Sequence, residues 1–206
     1  MASSGTRSVW RRLLWPAAIA AVLIAVAVAT VATVGLGGSG GSAATSIGGP
    51  FKLTTQTGGT LSDADLKGKP FAVFFGFTHC PEVCPTTLTE MTEALKQLGP
   101  EADNLKVLFI SVDPTRDTPD YLSLYLQSFD PRIVGLTGTE DEIAAVGKEY
   151  RAFWQKVPLD NGDYTMNHTA TIFLMDANGR FTGTIAYGEE MQSRIAKLKR
   201  LVQGAA

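Results

Sequence analysis

The chain holds only two cysteines, Cys80 and Cys84, and only two histidines, His79 and His168, in 206 residues. Any thiolate or imidazole ligand must come from these four side chains, and a zinc site built on four cysteines is excluded. Acidic residues are absent from residues 1–36, which carry Arg7, Arg11 and Arg12. Without those three arginines, 15 of the 18 basic residues remain against 20 acidic ones, a net charge of −5 for the rest of the chain. A body with no basic excess is a poor partner for nucleic acid. No internal repeat is visible, so a repeat array is not expected.

Charge of either sign is missing from residues 17–36. Twenty such residues make enough helix to cross a hydrocarbon core of about 30 Å. Basic residues on the short N-terminal side hold that side in the cytoplasm and send the body outward. The expected organisation is a basic cytoplasmic N-terminus (1–16), a transmembrane anchor or export signal (17–36), a flexible Gly/Ser linker (37–49) and a soluble domain (50–206). The apolar stretch is longer than a usual signal-peptide core, which favours an uncut anchor over cleavage after Ala43-Ala44. Arg11-Arg12 alone is weak support for a twin-arginine signal, and three arginines are few for a mitochondrial presequence.

Within the soluble part, residues 71–77 form a wholly apolar run, as expected of a central strand covered on both faces. Residues 105–112 form a second such run, reached through a helix that carries Leu88, Met91, Leu95 and Leu98 and ends at Gly99-Pro100, which makes a βαβ unit. Upstream, 51–53 and 60–61 flank Gly58-Gly59 as a hairpin, and Ser62 caps a helical turn ending at Gly68. Downstream, Thr118-Pro119 opens a helix with Tyr121, Leu122, Tyr125 and Phe129 inward, and 133–136 is a third strand. Thr139 and Glu142 form a capping box for a helix through Tyr150. Asn161-Gly162 and Asn178-Gly179 mark two further hairpins, and Met191, Ile195, Leu198 and Val202 stripe a final helix. The order βαβ, an inserted αβ segment and then ββα is that of an α/β, thioredoxin-like fold with an N-terminal hairpin, here preceded by one transmembrane helix.

The apolar strand stops at Cys80-Pro-Glu-Val-Cys84-Pro85. It thereby delivers both cysteines to its carboxyl end, the edge of open α/β sheets where sites form. Taking Pro85 as the first helical residue puts Cys84 at the N-cap, where the helix dipole should depress its pKa. One helical turn separates the two cysteines by roughly 6 Å, which allows either a disulfide or a shared metal. Structural cysteines acting as small hydrophobes would rarely sit between prolines at such a turn.

His168, in the turn before the strand that starts near Ala170, lies where this fold brings a loop against the cysteines, although a lone histidine serves equally as a hydrogen-bonded structural residue. His79 should point away from Cys80 if the strand's alternation persists. Two sulfurs and an imidazole form a soft set suited to Cu(I) or zinc, and three ligands satisfy Cu(I) while structural zinc wants a fourth. Asp113, Arg116 and Asp117, in a loop at the same edge, could orient ligands or present charge to a partner, or simply form a capped turn.

Phe77-Thr-His-Cys-Pro-Glu-Val-Cys-Pro85, Ser111-Val-Asp-Pro-Thr-Arg-Asp-Thr-Pro119 and His168 before a strand resemble the Sco/SenC family of cytochrome c oxidase assembly proteins. The resemblance covers most of residues 48–187 and implies a thioredoxin-like domain anchored by one N-terminal helix in a bacterial inner membrane, with the domain on the periplasmic side. It implies copper, as Cu(I) or also Cu(II), held by Cys80, Cys84 and His168. It further implies delivery of copper or of reducing equivalents to the binuclear copper site of oxidase subunit II, with a further copper-donor protein as a second partner. Glu82 stands where the family usually has Asp. Asn167 and Thr169 flank the histidine where the family reads Asp-His-Ser, so a carboxylate that would tune the ligand is lost. The competing expectation is a thiol-disulfide oxidoreductase cycling Cys80 and Cys84. Against it stand a spacing of three residues where thioredoxins use two, and a histidine where they place a proline.

Overall fold

The computed structural model describes residues 47–204. The expected membrane segment at 17–36 lies outside the described residues, as does most of the linker. Among the described residues, no helix is long and apolar enough to cross a membrane. Ile47 packs onto the domain, and Gly48 donates its N–H to the Glu149 carbonyl at 2.8 Å, so 47–49 belong to the folded part.

A seven-stranded sheet has the order β2-β1-β5-β4-β3-β8-β9. At its centre, β3 (Phe71–Gly76) is buried at every position. It runs parallel to β4 (Lys106–Ser111), which in turn runs parallel to β5 (Ile133–Thr137). On its other side β3 pairs antiparallel with β8 (Ile172–Met175), followed by β9 (Phe181–Ile185). The N-terminal hairpin of β1 (Lys52–Thr55) and β2 (Thr60–Ser62) joins the far edge through β5. The thioredoxin-like arrangement expected from the element order is thus present, with β5 as the inserted strand.

Helices cover both faces. Phe74 and Phe109 sit side by side on one face, with α1 (Val83–Leu98), which packs on α4 (Met191–Val202), and with Tyr125 of α2 (Pro119–Leu126). On the other face Phe75 meets Tyr150 of α3 (Glu140–Tyr150), Phe173 and Trp154. The capping box that opens α3 forms as expected: Glu142 N–H donates to Thr139 Oγ1 at 3.2 Å and Thr139 N–H to Glu142 Oε2 at 2.8 Å.

Two expectations are corrected. Tyr121 is 44% exposed and does not line the inner face of α2, whose buried residues are Leu122 and Leu126. The inner stripe of α4 includes Arg194, fully buried and paired with Glu90 of α1. The hairpin of β6 (Trp154–Pro158) and β7 (Tyr164–His168) stands outside the main sheet as a separate two-stranded sheet.

Trp154 anchors that hairpin, its indole stacked on Phe75 at 6.5 Å and lying over Gly147 of α3. A β-carbon at Gly147 would stand 2.2 Å from the indole. In a helix interior Gly→Ala adds about 1 kcal/mol of stability, whereas overpacking a core costs about 1–3 kcal/mol. Gly147→Ala is therefore expected to lower the unfolding free energy and shift Trp fluorescence, as read in urea titrations.

Candidate metal centre

The helix that carries the second cysteine starts at Val83, with Glu82 as its N-cap. Cys84 is thus the second residue inside the helix, and the expectation that it caps the helix is corrected. Its N–H is one of the unpaired donors of the first turn, and Cys80 Sγ accepts it at 3.4 Å. The sulfur in the capping position belongs to Cys80.

The acidity of the two thiols follows that placement. Cys80 is half-buried, and its pKa falls to about 4: the Cys84 thiol donates to it, with His168 and the backbone N–H groups of Cys84 and Glu82 adding to the effect. Cys84 is fully buried. Its pKa is raised well above the usual thiol range, because its proton is held by Cys80 and because burial disfavours its thiolate. The pair therefore shares one proton, S–H on Cys84 and thiolate on Cys80, the reverse of the expected assignment. Gly76 makes room for the buried sulfur, since a β-carbon there would lie 2.8 Å from Cys84 Sγ and 2.5 Å from Phe109.

His168 is the last residue of β7, paired across the hairpin with Trp154, and not in a turn as expected. Its Nδ1 lies 3.1 Å from the carbonyl of Thr169. A carbonyl can only accept, so Nδ1 carries a proton and Nε2 is the ring nitrogen turned toward the sulfurs. Nε2 lies 3.4 Å from Cys84 Sγ. Phe74 and Phe77 pack their rings against the imidazole at 6.0 and 5.7 Å. The orienting acceptor is therefore a backbone carbonyl, and no carboxylate at position 167 is needed for it. Asn167 itself is exposed, opposite Gln155.

The sulfurs of Cys80 and Cys84 and a ring nitrogen of His168 lie within 4.8 Å of one another. They are the only group of three or more His, Cys, Asp or Glu side chains among the described residues that could hold a metal ion. His79 is not part of it. Its ring turns outward to stack on Tyr121 at 5.2 Å, and its Nδ1 bonds Thr78 Oγ1 at 3.1 Å. An open cleft of about 440 Å³ leads to the group, lined by Phe77, Cys80, Pro81, Met166 and His168 among others.

The loop residues stand one layer behind. Asp117 is fully buried and accepts from Thr78 N–H at 3.0 Å, Thr78 Oγ1 at 2.6 Å and Ser111 Oγ at 2.6 Å. Asp113 accepts from Arg116 Nε and, at 2.8 Å, from the Tyr164 hydroxyl. Arg116 also donates to the Tyr164 carbonyl at 3.0 Å. Thr78, Ser111 and Tyr164 were not singled out from sequence. Tyr164 carried a signal, since an even spacing puts it on the same strand face as His168.

At neutral pH Cys80 is expected to react with iodoacetamide while Cys84 does not. The rate should hold from about pH 8 to about pH 5 and fall only as pH approaches the Cys80 value of about 4. Peptide mapping of the alkylated chain checks this, and preferential labelling of Cys84 would reverse the assignment.

Three comparisons locate the chain among known proteins. The family model SCO1/SenC matches residues 39–203. Protein SCO2, mitochondrial, of Saccharomyces cerevisiae is 39% identical over 165 residues, covering 78% of this chain and 54% of that protein. The chain spans about half the length of the first curated relatives it matches. The copper-bound structure of Bradyrhizobium japonicum ScoI is 52% identical, with a TM-score of 0.71, and covers 75% of this chain and 99% of that one. A structure of BsSco, described as a member of the Sco family of cytochrome c oxidase assembly proteins with a disulfide switch, is 25% identical with a TM-score of 0.61, covering 77% of this chain and 94% of that one. The chain belongs to the SCO1/SenC family.

Proposed function

We propose that the protein binds copper through Cys80, Cys84 and His168 as its cargo and delivers it to the binuclear copper site of cytochrome c oxidase subunit II during assembly. The observation that carries this reading is the convergence of two sulfurs and one imidazole nitrogen within 4.8 Å at the end of a cleft. Thiolate and imidazole donors suit Cu(I), and three of them suffice for it. The copper-bound ScoI relative supports the same cargo. Cys80 is ready as a thiolate, so loading displaces the proton that Cys84 still holds. A three-coordinate ion beside an open cleft leaves room for an incoming ligand, so transfer proceeds by exchanging one donor at a time. A further protein that supplies the copper is the second partner.

The thiol pair also supports a second reading, reduction of a disulfide in the same partner. The Cys80 thiolate attacks one partner sulfur, forming a mixed disulfide and releasing the other partner sulfur as a thiolate. Cys84, giving up its proton, then displaces the second partner sulfur, leaving the partner reduced and Cys80–Cys84 oxidised. The low pKa of Cys80 beside a protonated Cys84 favours this reading.

The variants separate the two. Native mass spectrometry with one equivalent of Cu(I) is expected to show one bound copper. Alanine at Cys80, Cys84 or His168 should abolish or greatly weaken binding, while His79→Ala retains it. In cells, His168→Ala should lose oxidase copper loading, with rescue by excess copper, while the purified variant still reduces a disulfide. Normal loading in His168→Ala at limiting copper, with loading lost in Cys80→Ser, would replace the chaperone by the oxidoreductase.

We further propose that residues 17–36 anchor the chain as a single pass in a bacterial inner membrane, with 1–16 cytoplasmic and the domain periplasmic. The absence of charge from 17–36 and the three arginines before it support this orientation. Reporter fusions after Gly49 should be active only outside the cytoplasm. Activity confined to the cytoplasm would refute the orientation, and a mature N-terminus near Ala44 would refute the anchor.

A further inference from the structure

Two of the three candidate ligands are held by the main fold, in the turn after β3 and in the first turn of α1, but the third comes from the separate β6–β7 sheet. The carboxyl end of β7 is tied by Thr169, whose N–H bonds the Phe153 carbonyl at 2.9 Å. The other end of the hairpin closes with Leu159 N–H on the Asp163 carbonyl at 2.8 Å. With 153/169 and 159/163 as bonded pairs, the alternation of an antiparallel ladder directs the backbone groups of Tyr164, Met166 and His168 away from β6. Pro158, which has no N–H to offer, stands opposite Tyr164 and fits that unbonded position. The Tyr164 carbonyl is thus free for an outside donor, and Arg116 Nη1 takes it at 3.0 Å.

We infer that Tyr164 is a positioning residue for His168, locking the hairpin to the 113–117 loop so that the imidazole stays over the cysteines. The lock has three parts. The Tyr164 hydroxyl donates to Asp113 Oδ1 at 2.8 Å, its carbonyl accepts from Arg116, and the guanidinium lies over its ring at 3.7 Å. The same guanidinium lies 6.0 Å from the ring centre of Phe77. Phe77 in turn sets its ring edge to face against His168 at 5.7 Å and 87°. A continuous packed path therefore runs from the Tyr164 hydroxyl through Asp113, Arg116 and Phe77 to the imidazole. Asp113 is buried and its oxygens are occupied by Arg116 and Tyr164, so removing the hydroxyl leaves a carboxylate oxygen short of a partner.

The inference rests on the copper reading above, and Tyr164→Phe tests it in the full chain, keeping the ring over which Arg116 lies. Cu(I) affinity is measured by competition with a chelator in wild type, Tyr164→Phe, His168→Ala and the double variant. One neutral-to-charged hydrogen bond predicts a loss of about tenfold to a hundredfold for Tyr164→Phe in the wild-type background. In the His168→Ala background the same change should cost nothing, because the residue acts only through the imidazole. With Cu(II), the nitrogen hyperfine coupling from His168 should broaden or shrink in Tyr164→Phe. An equal loss in both backgrounds, or no loss with unaltered coupling, overturns the inference. If His168→Ala itself leaves copper affinity unchanged, the copper reading fails and not the lock.

Discussion

The buried carboxylate of Asp117 is the point on which the sheet's carboxyl edge depends. An unpaired charge taken from water costs several kcal/mol, so a carboxylate with no exposure survives only where its oxygens are filled. Here Thr78 fills them from the end of β3 and Ser111 from the end of β4. The two parallel strands are thereby fastened where their chains turn away from the sheet, one residue before His79 and two before Cys80. Ser111 Oγ also accepts the N–H of Asp113 at 3.0 Å, so the fastening passes into the loop. The same loop then grips the β6–β7 hairpin through Asp113 and Arg116. One short segment thus ties the turn that carries Cys80 to the hairpin that carries His168.

On that frame the two cysteines are chemically unequal. They come from one motif with one spacing, yet Cys80 is an acid and Cys84 a very weak one. The first cause is the proton between them, which the Cys84 thiol donates to Cys80; the free amides at the start of the helix add to the effect on Cys80, and burial against Gly76 and Phe109 disfavours a thiolate at Cys84. A shared proton between the sulfurs serves metal loading and disulfide attack alike. Thiol acidity therefore cannot decide between the two activities. The imidazole decides, because only ligation uses it.

Much of this was readable from residues alone, for identifiable reasons. The strand at 71–76, the helix with Leu88, Met91 and Leu95, the Thr139 capping box and the Asn-Gly turns each carry a local signal, and local signals survive folding. The scarcity of cysteines and histidines narrowed the candidate donors to four side chains, and the resemblance to the Sco/SenC family singled out Cys80, Cys84 and His168 among them. What local signals do not carry is the first helical residue, and shifting that from Pro85 to Val83 exchanged the roles of the two thiols. Periodicity misplaced Tyr121 and passed over Arg194, because it marks faces but not what covers them: Tyr121 finds His79 at the surface, and Arg194 is admitted to the core by Glu90. Asn167 was weighed as a lost carboxylate neighbour, yet the Thr169 carbonyl orients the ring, a backbone group that side-chain identity does not reveal.

The supports of the ligands also differ in kind. Cys80 stands in the short turn between β3 and α1, its N–H on the Phe77 carbonyl at 3.3 Å and the turn fastened at Thr78 to Asp117, and Cys84 stands in the first turn of α1, so moving either disturbs that fastening or a helical turn. His168 stands on a strand whose only ladder partner is β6, itself held to the body largely by side chains: Trp154 on Phe75, Tyr164 on Asp113, Arg116 on the Tyr164 carbonyl. A side-chain hydrogen bond contributes about 1 kcal/mol net, far less than unzipping part of a central sheet. On the proposed reading of stepwise exchange, the first donor to yield is therefore the imidazole, leaving the ion on two sulfurs within the cleft where an incoming ligand arrives. A carrier must hold its cargo and also release it, and placing one ligand on a side-chain-docked hairpin meets both demands without loosening the sheet.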